Sequence, residues 1–333
     1  MHKGWFTSVI VPAKNEEDHI KQVIQEIPSW IDLILVADDG STDKTNEIAR
    51  DALTNSGRND FESGDKGPWS KIIKLDGEGV GNAIITSCKY IITSSNKEHS
   101  EAYNLKKSAC IVMAGDGQMD PVDLSNLLDP VIAGEVRYCK GNRFADSEQI
   151  KNMPLIRRIG SNLLSVLTTL ASGIYVRDPQ CGYTVTELSL IEEISNDKTW
   201  RGYGYPNWIL LKLGMLSINI KEVPCKCIYR TENSGIKLSS FFPIVSTMLF
   251  LGLWNRGIEW YLKGIGIPKK IWHIRVAMLI SWFSIWISAI LFFNPIIDTS
   301  QIISNKIVTV QILTNLMICY FLDRMEINRR LMS

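Results

Sequence analysis

The chain has 333 residues, of which 45% are hydrophobic and 21% charged, more than one domain usually needs and enough for a sizeable core plus a greasier appendage. A formal net charge of +1 provides no global field for nucleic acid, so any electrostatic steering must come from local patches. The seven cysteines (Cys88, Cys110, Cys139, Cys181, Cys225, Cys227 and Cys319) are scattered and odd in number, which suits reduced thiols facing the cytosol and argues against a disulfide framework.

The apolar run before Lys14 and its two following glutamates is too short for the core of a signal peptide, so the N-terminal part is expected to stay where it is made. Residues 8–11 form a short β-branched run closed by Pro12, and residues 32–37 form another. Between them Ile20, Val23, Ile24 and Ile27 recur at helical spacing, which makes a β-α-β unit. A helix over residues 42–52, capped by Ser41 or Thr42, comes next, then a polar loop and a third strand at 71–75. A helix over 83–92 and a fourth strand at 109–113 complete the pattern. Strands alternating with helices predict a mostly parallel sheet that binds ligands at the carboxyl ends of its strands. The stretches 54–70 and 94–108 read as surface insertions, and Cys225 and Cys227 as strand residues.

Residues 276–297 are 22 positions without a charge, including Trp282 and Trp286, long enough for a helix to cross a hydrocarbon core of roughly 30 Å. Residues 307–322 form a second uncharged run of 16, somewhat short for a span; a buried soluble helix is the alternative for either run. Lys263, Lys269, Lys270 and Arg275 precede the first run, Arg324, Arg329 and Arg330 follow the second, and only Asp298 and Lys306 lie between. This asymmetry predicts a hairpin with both ends in the cytosol. Residues 238–255 are also uncharged but contain Pro243 and run into Arg256, Glu259, Trp260 and Lys263, which suits an interfacial helix.

Two acidic clusters could do chemistry. Asp38 and Asp39, followed by Gly40, Ser41 and Asp43, end the second strand, where carboxylates can accept from a nucleobase or a ribose; helix capping by Ser41 and Asp43 is the structural alternative. Asp116 and Gln118 follow the fourth strand and offer hard oxygen ligands for Mg²⁺ or Mn²⁺ against a diphosphate, or else merely form an Asp-Gly turn. Both clusters follow strands of one predicted sheet, so they converge on one rim.

In order, PAKNEE, VADDGSTDKT, GEGVGNA, GDGQMDP, GNR and VPCKCIYRTENSGIK resemble the motifs of family 2 glycosyltransferases, within them most of all the polyprenyl- and dolichyl-phosphate sugar transferases. The resemblance covers roughly residues 6–240. It implies a GT-A nucleotide-sugar domain, Rossmann-like and mostly parallel, over residues 1–237, interfacial helices over 238–273, and a transmembrane hairpin with a cytosolic tail over 274–333. The implied activity moves a sugar from a nucleotide-diphosphate sugar to a membrane polyprenyl phosphate at the cytosolic face of a plasma membrane or endomembrane, with inversion and a divalent metal. Assembly into a homo-oligomer stays open.

Residue by residue, the resemblance implies that Pro12, Asn15, Glu16 and one or both of Asp38 and Asp39 bind the nucleotide. Asp116 and Gln118 match metal-binding positions of the family's D-x-D-x-Q pattern, whose first aspartate is here Ala114, with Asp120 a substitute only if its loop turns inward. Arg143, Arg230 and Lys237 stand where relatives set cations against phosphates. Arg177, Asp178 and Gln180 resemble the acceptor side, Asp178 either orienting the acceptor or capping the turn before Pro179. Asn207 stands near the place of an acidic general base. A hydroxyl acceptor needs such a base, whereas a phosphate monoester is already largely ionised, so its absence favours a phosphate acceptor. Two other readings follow from the same residues: transfer to a hydroxyl of a lipid-linked glycan or glycolipid, and, because of Ala114, a nucleotide-sugar-binding membrane scaffold with little turnover.

Overall fold

The structure is a computed structural model, and its described residues are 2–63, 65–98, 104–145, 155–195, 200–202, 204–228, 238–292 and 301–332. Contacts divide the chain into two units, Met1–Leu170 with Ile174–Leu249, and Ala171–Gly173 with Phe250–Ser333.

The first unit is built on one eight-stranded sheet in the order β3-β4-β2-β1-β5-β7-β6-β8. Its strands are β1 Phe6–Ala13, β2 Leu33–Asp38, β3 Asn59–Asp60, β4 Trp69–Lys74, β5 Ser108–Val112, β6 Tyr138–Asn142, β7 Thr184–Glu187 and β8 Ile220–Pro224. All neighbours run parallel except β7, which is antiparallel to both β5 and β6. The four expected strands are β1, β2, β4 and β5, and the stretch 54–70 supplies the short edge strand β3. The helices are α1 Ile20–Glu26, α2 Thr45–Asn55, α3 Val80–Glu98, α4 Leu124–Ile132, α5 Leu155–Ser172, α6 Leu188–Ile194 and α7 Tyr205–Met215.

Period-two alternation sorts the β-branched side chains to opposite faces of the sheet. Val9 and Val11 of β1, Ile34 and Val36 of β2, Ile111 of β5 and Val185 of β7 share one face. They form a core with Ile20, Val23 and Ile24 of α1, Ala49 and Leu53 of α2, and Leu127 and Leu128 of α4. Helix α3 packs against β1 and β2 with buried Ile84, Ile85 and Ile91.

Two expected helix ends moved for local reasons. α1 stops at Glu26, and Ile27 turns extended with ψ 126°, because Pro28 disfavours a helical residue before it. α2 starts at Thr45, later than the expected Ser41 or Thr42 cap, because those two residues bond the loop after β1: Asn15 N donates to Ser41 Oγ at 3.0 Å and Thr42 N to Asn15 Oδ1 at 2.8 Å. Asp43 satisfies the first turn instead, accepting from the Thr45 amide at 3.0 Å and its hydroxyl at 2.6 Å.

The second unit is helical. It begins within α8, Leu238–Gly257, which continues into a π-helical turn, Ile258–Leu262, and is followed by α9 Trp272–Phe292 and α10 Gln301–Met332. Three segments are long and apolar enough to cross a membrane: Phe241–Leu262, Trp272–Ile290 and Lys306–Met332. Only 17% of the second window and 0% of the third are buried, the opposite of what a buried soluble helix requires. α9 and α10 pack along one another, and α10 runs past the uncharged stretch into the charged end without a break. There Arg256 binds Asp323 through two nitrogens at 2.9 and 2.8 Å, Tyr261 donates to Asp323 at 2.9 Å, and Glu326 accepts from Arg329 and Arg330 at 2.6 Å each. Arg275 Nε, near the start of α9, donates to the Tyr261 carbonyl at 2.6 Å, so the basic residues that flank the two apolar runs lie at the same end of the helices.

Candidate active site

The parallel register of β2-β1-β5, with Ala13 opposite Asp38 and Ile10 opposite Val112, puts the loops after β1, β2, β4 and β5 on one rim. The antiparallel turn of β7 brings the loop before it to that rim, beside the carboxyl ends of β6 and β8. Both acidic clusters therefore face the same edge of the sheet, as expected, and Arg143, which follows β6, joins them there.

The two aspartates at the end of β2 do different work. Asp38 accepts from the Ser41 amide at 2.9 Å and from Asn46 Nδ2 at 2.9 Å, so its carboxylate holds its own loop. Asp39 accepts from the Gly79 amide through Oδ2 at 2.9 Å. Its Oδ1 is buried with no hydrogen-bond partner among the described residues, which leaves one acceptor for a ligand. The GEGVGNA loop is pressed against residues 200–202 and Tyr205: a Cβ on Gly79 would collide with the Arg201 carbonyl and one on Gly81 with the Trp200 carbonyl. That close backbone approach explains the glycines.

Pro12, Asn15 and Glu16, expected to touch nucleotide, tie the rim together through their backbone and amide groups. The buried Pro12 carbonyl accepts from the Gly115 amide at 3.0 Å, the Asn15 side chain holds Thr42, and the Glu16 amide donates to Thr45 Oγ1 at 2.7 Å. Asn15 takes a left-handed φ of 57° to do so, a conformation asparagine tolerates.

After β5, Asp116 is half-buried and accepts from the Gln118 amide at 3.0 Å. Asp120 does not turn inward: its Oδ1 caps the following turn at the Val122 amide, 3.0 Å away. The strand of chain after β8 zips along this loop, with Ile228 N donating to Gln118 O at 2.9 Å, Lys226 N to Asp123 Oδ2 at 2.7 Å, and Cys227 bridging Met119. Cys227 thus lies in extended chain, as expected, while Cys225 sits just past β8. Among the described residues no group of three or more His, Cys, Asp or Glu side chains converges as a metal cage. A single carboxylate with an amide neighbour does suit Mg²⁺ or Mn²⁺ delivered with a diphosphate, because such ions keep phosphate and water ligands.

Arg143, immediately after β6, meets Asp178 in the loop before β7. Nε donates to Oδ2 at 2.7 Å, Nη2 to Oδ1 at 2.9 Å, and the Arg143 amide to Oδ2 at 3.1 Å. The Asp178 side chain is 1% exposed and that of Arg143 21%. Burial pushes the Asp178 carboxyl up, but the Arg143 charge and its hydrogen bonds outweigh it and hold the group below its ordinary value. The Asp178 carboxylate, expected to orient the acceptor or to cap the turn before Pro179, is taken up by Arg143 and orients its guanidinium, on a side chain that stays partly exposed.

Two residues that sequence reasoning missed hold this pair. Glu222 of β8 accepts from the Arg177 amide at 2.8 Å and the Asp178 amide at 2.9 Å, and the fully buried Lys140 of β6 donates to the Asp178 carbonyl. A lysine in the middle of the short YCKGN strand is the one signal that could have exposed Lys140. The Arg177 side chain is exposed. Gln180 donates its side-chain amide to Asn207, which is fully buried and donates in turn to Thr168 Oγ1 at 2.7 Å. The place of an acidic general base, held here by Asn207, is therefore interior. Behind the pair, the buried Cys181 and Cys225 face each other at 3.9 Å. All seven cysteines are free. Arg230 and Lys237 lie outside the described residues.

The model of "Glycosyl transferase family 2" matches residues 8–194. A UDP-N-acetylglucosamine–dolichyl-phosphate N-acetylglucosaminyltransferase of Methanococcus voltae is 32% identical over 250 residues, 73% of this chain and 94% of that protein. A polyprenol monophosphomannose synthase of Mycolicibacterium smegmatis is 24% identical over 190 residues, 56% and 64% of the two chains. Among solved structures, glucosyl-3-phosphoglycerate synthase from Mycobacterium tuberculosis with Mn²⁺, UDP and phosphoglyceric acid has a TM-score of 0.51 at 18% identity, covering 80% of each chain, a likeness of fold. The chain belongs to glycosyl transferase family 2 and is a glycosyltransferase with the GT-A fold.

Proposed function

We propose that this enzyme moves a sugar from a nucleoside diphosphate to the phosphate of a membrane polyprenyl phosphate. The observation that carries the reading is the Arg143–Asp178 pair: a guanidinium fixed by a buried carboxylate, on a side chain that stays 21% exposed at the rim that also holds Asp39 and Asp116. A fixed guanidinium suits an anionic acceptor or leaving group. The described carboxylates around it, Asp178 and Glu222, are already engaged by Arg143 and by two backbone amides, so neither is disposed as a base for a hydroxyl. The relatives named for dolichyl phosphate and polyprenol support the same acceptor class.

In this mechanism Asp39 receives a hydrogen bond from the nucleobase at its unpartnered Oδ1. Asp116, with Gln118, would hold a divalent cation on the donor diphosphate, where it would neutralise charge on the leaving group. Arg143 holds a phosphate in line with the anomeric carbon. An oxygen of the acceptor phosphate forms the new bond to that carbon as its bond to the donor β-phosphate oxygen breaks, and the nucleoside diphosphate departs with the electron pair. The motif resemblance alone assigns Arg230 and Lys237, which lie outside the described residues, a role against phosphate.

For the membrane, we propose a hairpin of α9 and α10 with its basic end in the cytosol. α8 shares that charged end through Arg256, so crossing would carry the catalytic domain to the opposite side from cytosolic sugar nucleotides. An interfacial course for α8 avoids that separation. The test incubates the full chain in detergent with polyprenyl phosphate, a panel of UDP- and GDP-sugars and Mg²⁺ or Mn²⁺, with Asp116→Ala as control. Glycolipid that forms with one donor and disappears in the variant supports the reading. Donor binding with no nucleoside diphosphate released overturns it in favour of a scaffold.

A further inference from the structure

The two apolar helices of the second unit share a polar cluster halfway along their length. On α10, Gln311 Nε2 and Asn315 Nδ2 both donate to Ser284 Oγ of α9 at 3.2 Å, and Asn315 Nδ2 also donates to the Gln311 main-chain carbonyl at 2.9 Å. The uncharged run 307–322 has its midpoint between Thr314 and Asn315, and the run 276–297 has its midpoint just after Trp286. At 1.5 Å per residue, Gln311 lies about 5 Å and Ser284 about 4 Å from the middle of their spans.

The cluster is not closed on itself. A side-chain amide offers two N–H donors and a carbonyl acceptor. No bond among the described residues reaches Gln311 Oε1, the second Nε2 hydrogen of Gln311, or Asn315 Oδ1, and the Gln311 side chain is exposed. At the centre of a bilayer there is no water to complete these groups, and neither acyl chains nor a polyprenyl tail bring a donor or acceptor to that depth. An open amide there calls for protein.

Gln311 stands in an exposed seam. Ile307, Gln311, Thr314, Ile318, Phe321 and Met325 recur in steps of four and three and are all exposed. At 100° per residue they fall within an arc of about 80°, the spacing by which one helix packs along another. None of the six is charged, so nothing in the seam repels a like surface. Two copies inserted the same way up present Gln311 at the same depth, and an amide is its own complement. About a two-fold axis along the membrane normal, Nε2 of one copy donates to Oε1 of the other and the reverse. We infer that the chain self-associates in the membrane through α10, with the Gln311 amides of two copies paired near the centre of the bilayer. The inference rests on the membrane reading of α9 and α10.

The test reconstitutes the purified full chain in liposomes at graded protein-to-lipid ratios. Energy transfer between donor- and acceptor-labelled copies reads association, and flotation of the liposomes after an alkaline carbonate wash reads insertion. Transfer is expected to rise with protein fraction as a monomer–dimer equilibrium. Gln311→Leu should lower the association constant about tenfold, the equivalent of about 1.4 kcal/mol, whereas Gln311→Asn, which keeps an amide, should lower it less. Copper-phenanthroline oxidation should link copies of Ile318→Cys, on the seam, above the wild-type background. It should not do so for Leu316→Cys, which is exposed on the opposite side of α10. Insertion without transfer at any ratio, as a different protein occupant would give, overturns the inference and leaves the hairpin standing. Transfer indifferent to Gln311→Leu, or cross-linking through position 316 as readily as through 318, also overturns it. Loss of the chain from the floated liposomes removes the hairpin and the inference together.

Discussion

Arg143 and Asp178 are 35 positions apart in sequence, yet two side-chain hydrogen bonds at 2.7 and 2.9 Å and a backbone one at 3.1 Å join them. This pairing makes the carboxylate a support and the guanidinium the working group, so the two should respond differently to substitution. Asp178→Asn leaves Arg143 without its counter-ion and is expected to destabilise the protein by about 3–5 kcal/mol, seen as a lower unfolding temperature in detergent. Arg143→Lys keeps the charge but loses the fork, and kcat/KM should fall on the order of 10²-fold with a smaller loss of stability. An equal effect of both on stability and none on turnover would place Arg143 away from the phosphates.

The same pair sets an acid limit. Arg143 holds the Asp178 carboxyl below its ordinary value against the opposing effect of burial, so its contribution to stability is complete above the unfolded pKa of about 3.9 and is lost as pH falls through the lower folded value. Unfolding temperature should therefore be insensitive to this group between about pH 5 and 7 and drop as pH falls below about 4. The Asp178→Asn variant should show a shallower acid slope, and an unchanged slope would mean that Asp178 titrates normally.

Asp38 and Asp39 are adjacent, but of the two only Asp39 keeps a carboxylate oxygen with no partner among the described residues. Asp39→Asn should raise donor KM by roughly 10- to 100-fold, since a hydrogen bond to a charged acceptor contributes about 1.5–3 kcal/mol, with little change in unfolding temperature. Asp38→Asn should do the reverse, because Ser41 and Asn46 depend on its oxygens. Calorimetric titration with nucleoside diphosphates separates the two outcomes.

Where the chain could be read in advance, the reason was local. The runs at 8–11 and 32–37 are β-branched and fully buried in β1 and β2, and the acidic clusters follow strands whose direction the alternation with helices already implies. Local signals ended where partners are distant in sequence. β6 contains Lys140, a residue that argues against a buried strand until its acceptor, the Asp178 carbonyl, is known. The start of α2 depends on Asn15, 27 residues before Thr42. Glu222 has no motif of its own: its role comes from two amides 45 and 44 positions away. Residues 307–322 looked short for a span because Asp323 and the arginines after it seemed to end the run, whereas ion pairs with Arg256 and within α10 let the helix continue.

Glu222 offers a test of the support without touching the ion pair. Glutamine has one acceptor oxygen where glutamate has two, so Glu222→Gln should free one of the Arg177 and Asp178 amides and loosen the loop that sets Arg143. The expected outcome is an acceptor KM raised about tenfold, the equivalent of about 1.4 kcal/mol, with the donor Kd unchanged. A rise in donor Kd instead would place Glu222 on the nucleotide side of the rim.

The acceptor chemistry is decided most directly by ³¹P NMR of the purified glycolipid made from polyprenyl phosphate and the preferred donor. The account predicts that the phosphomonoester signal of the acceptor is replaced by a phosphodiester signal, because the new bond joins its phosphate oxygen to the anomeric carbon. A product that keeps its phosphomonoester, or turnover only with acceptors that present a sugar hydroxyl, would contradict it.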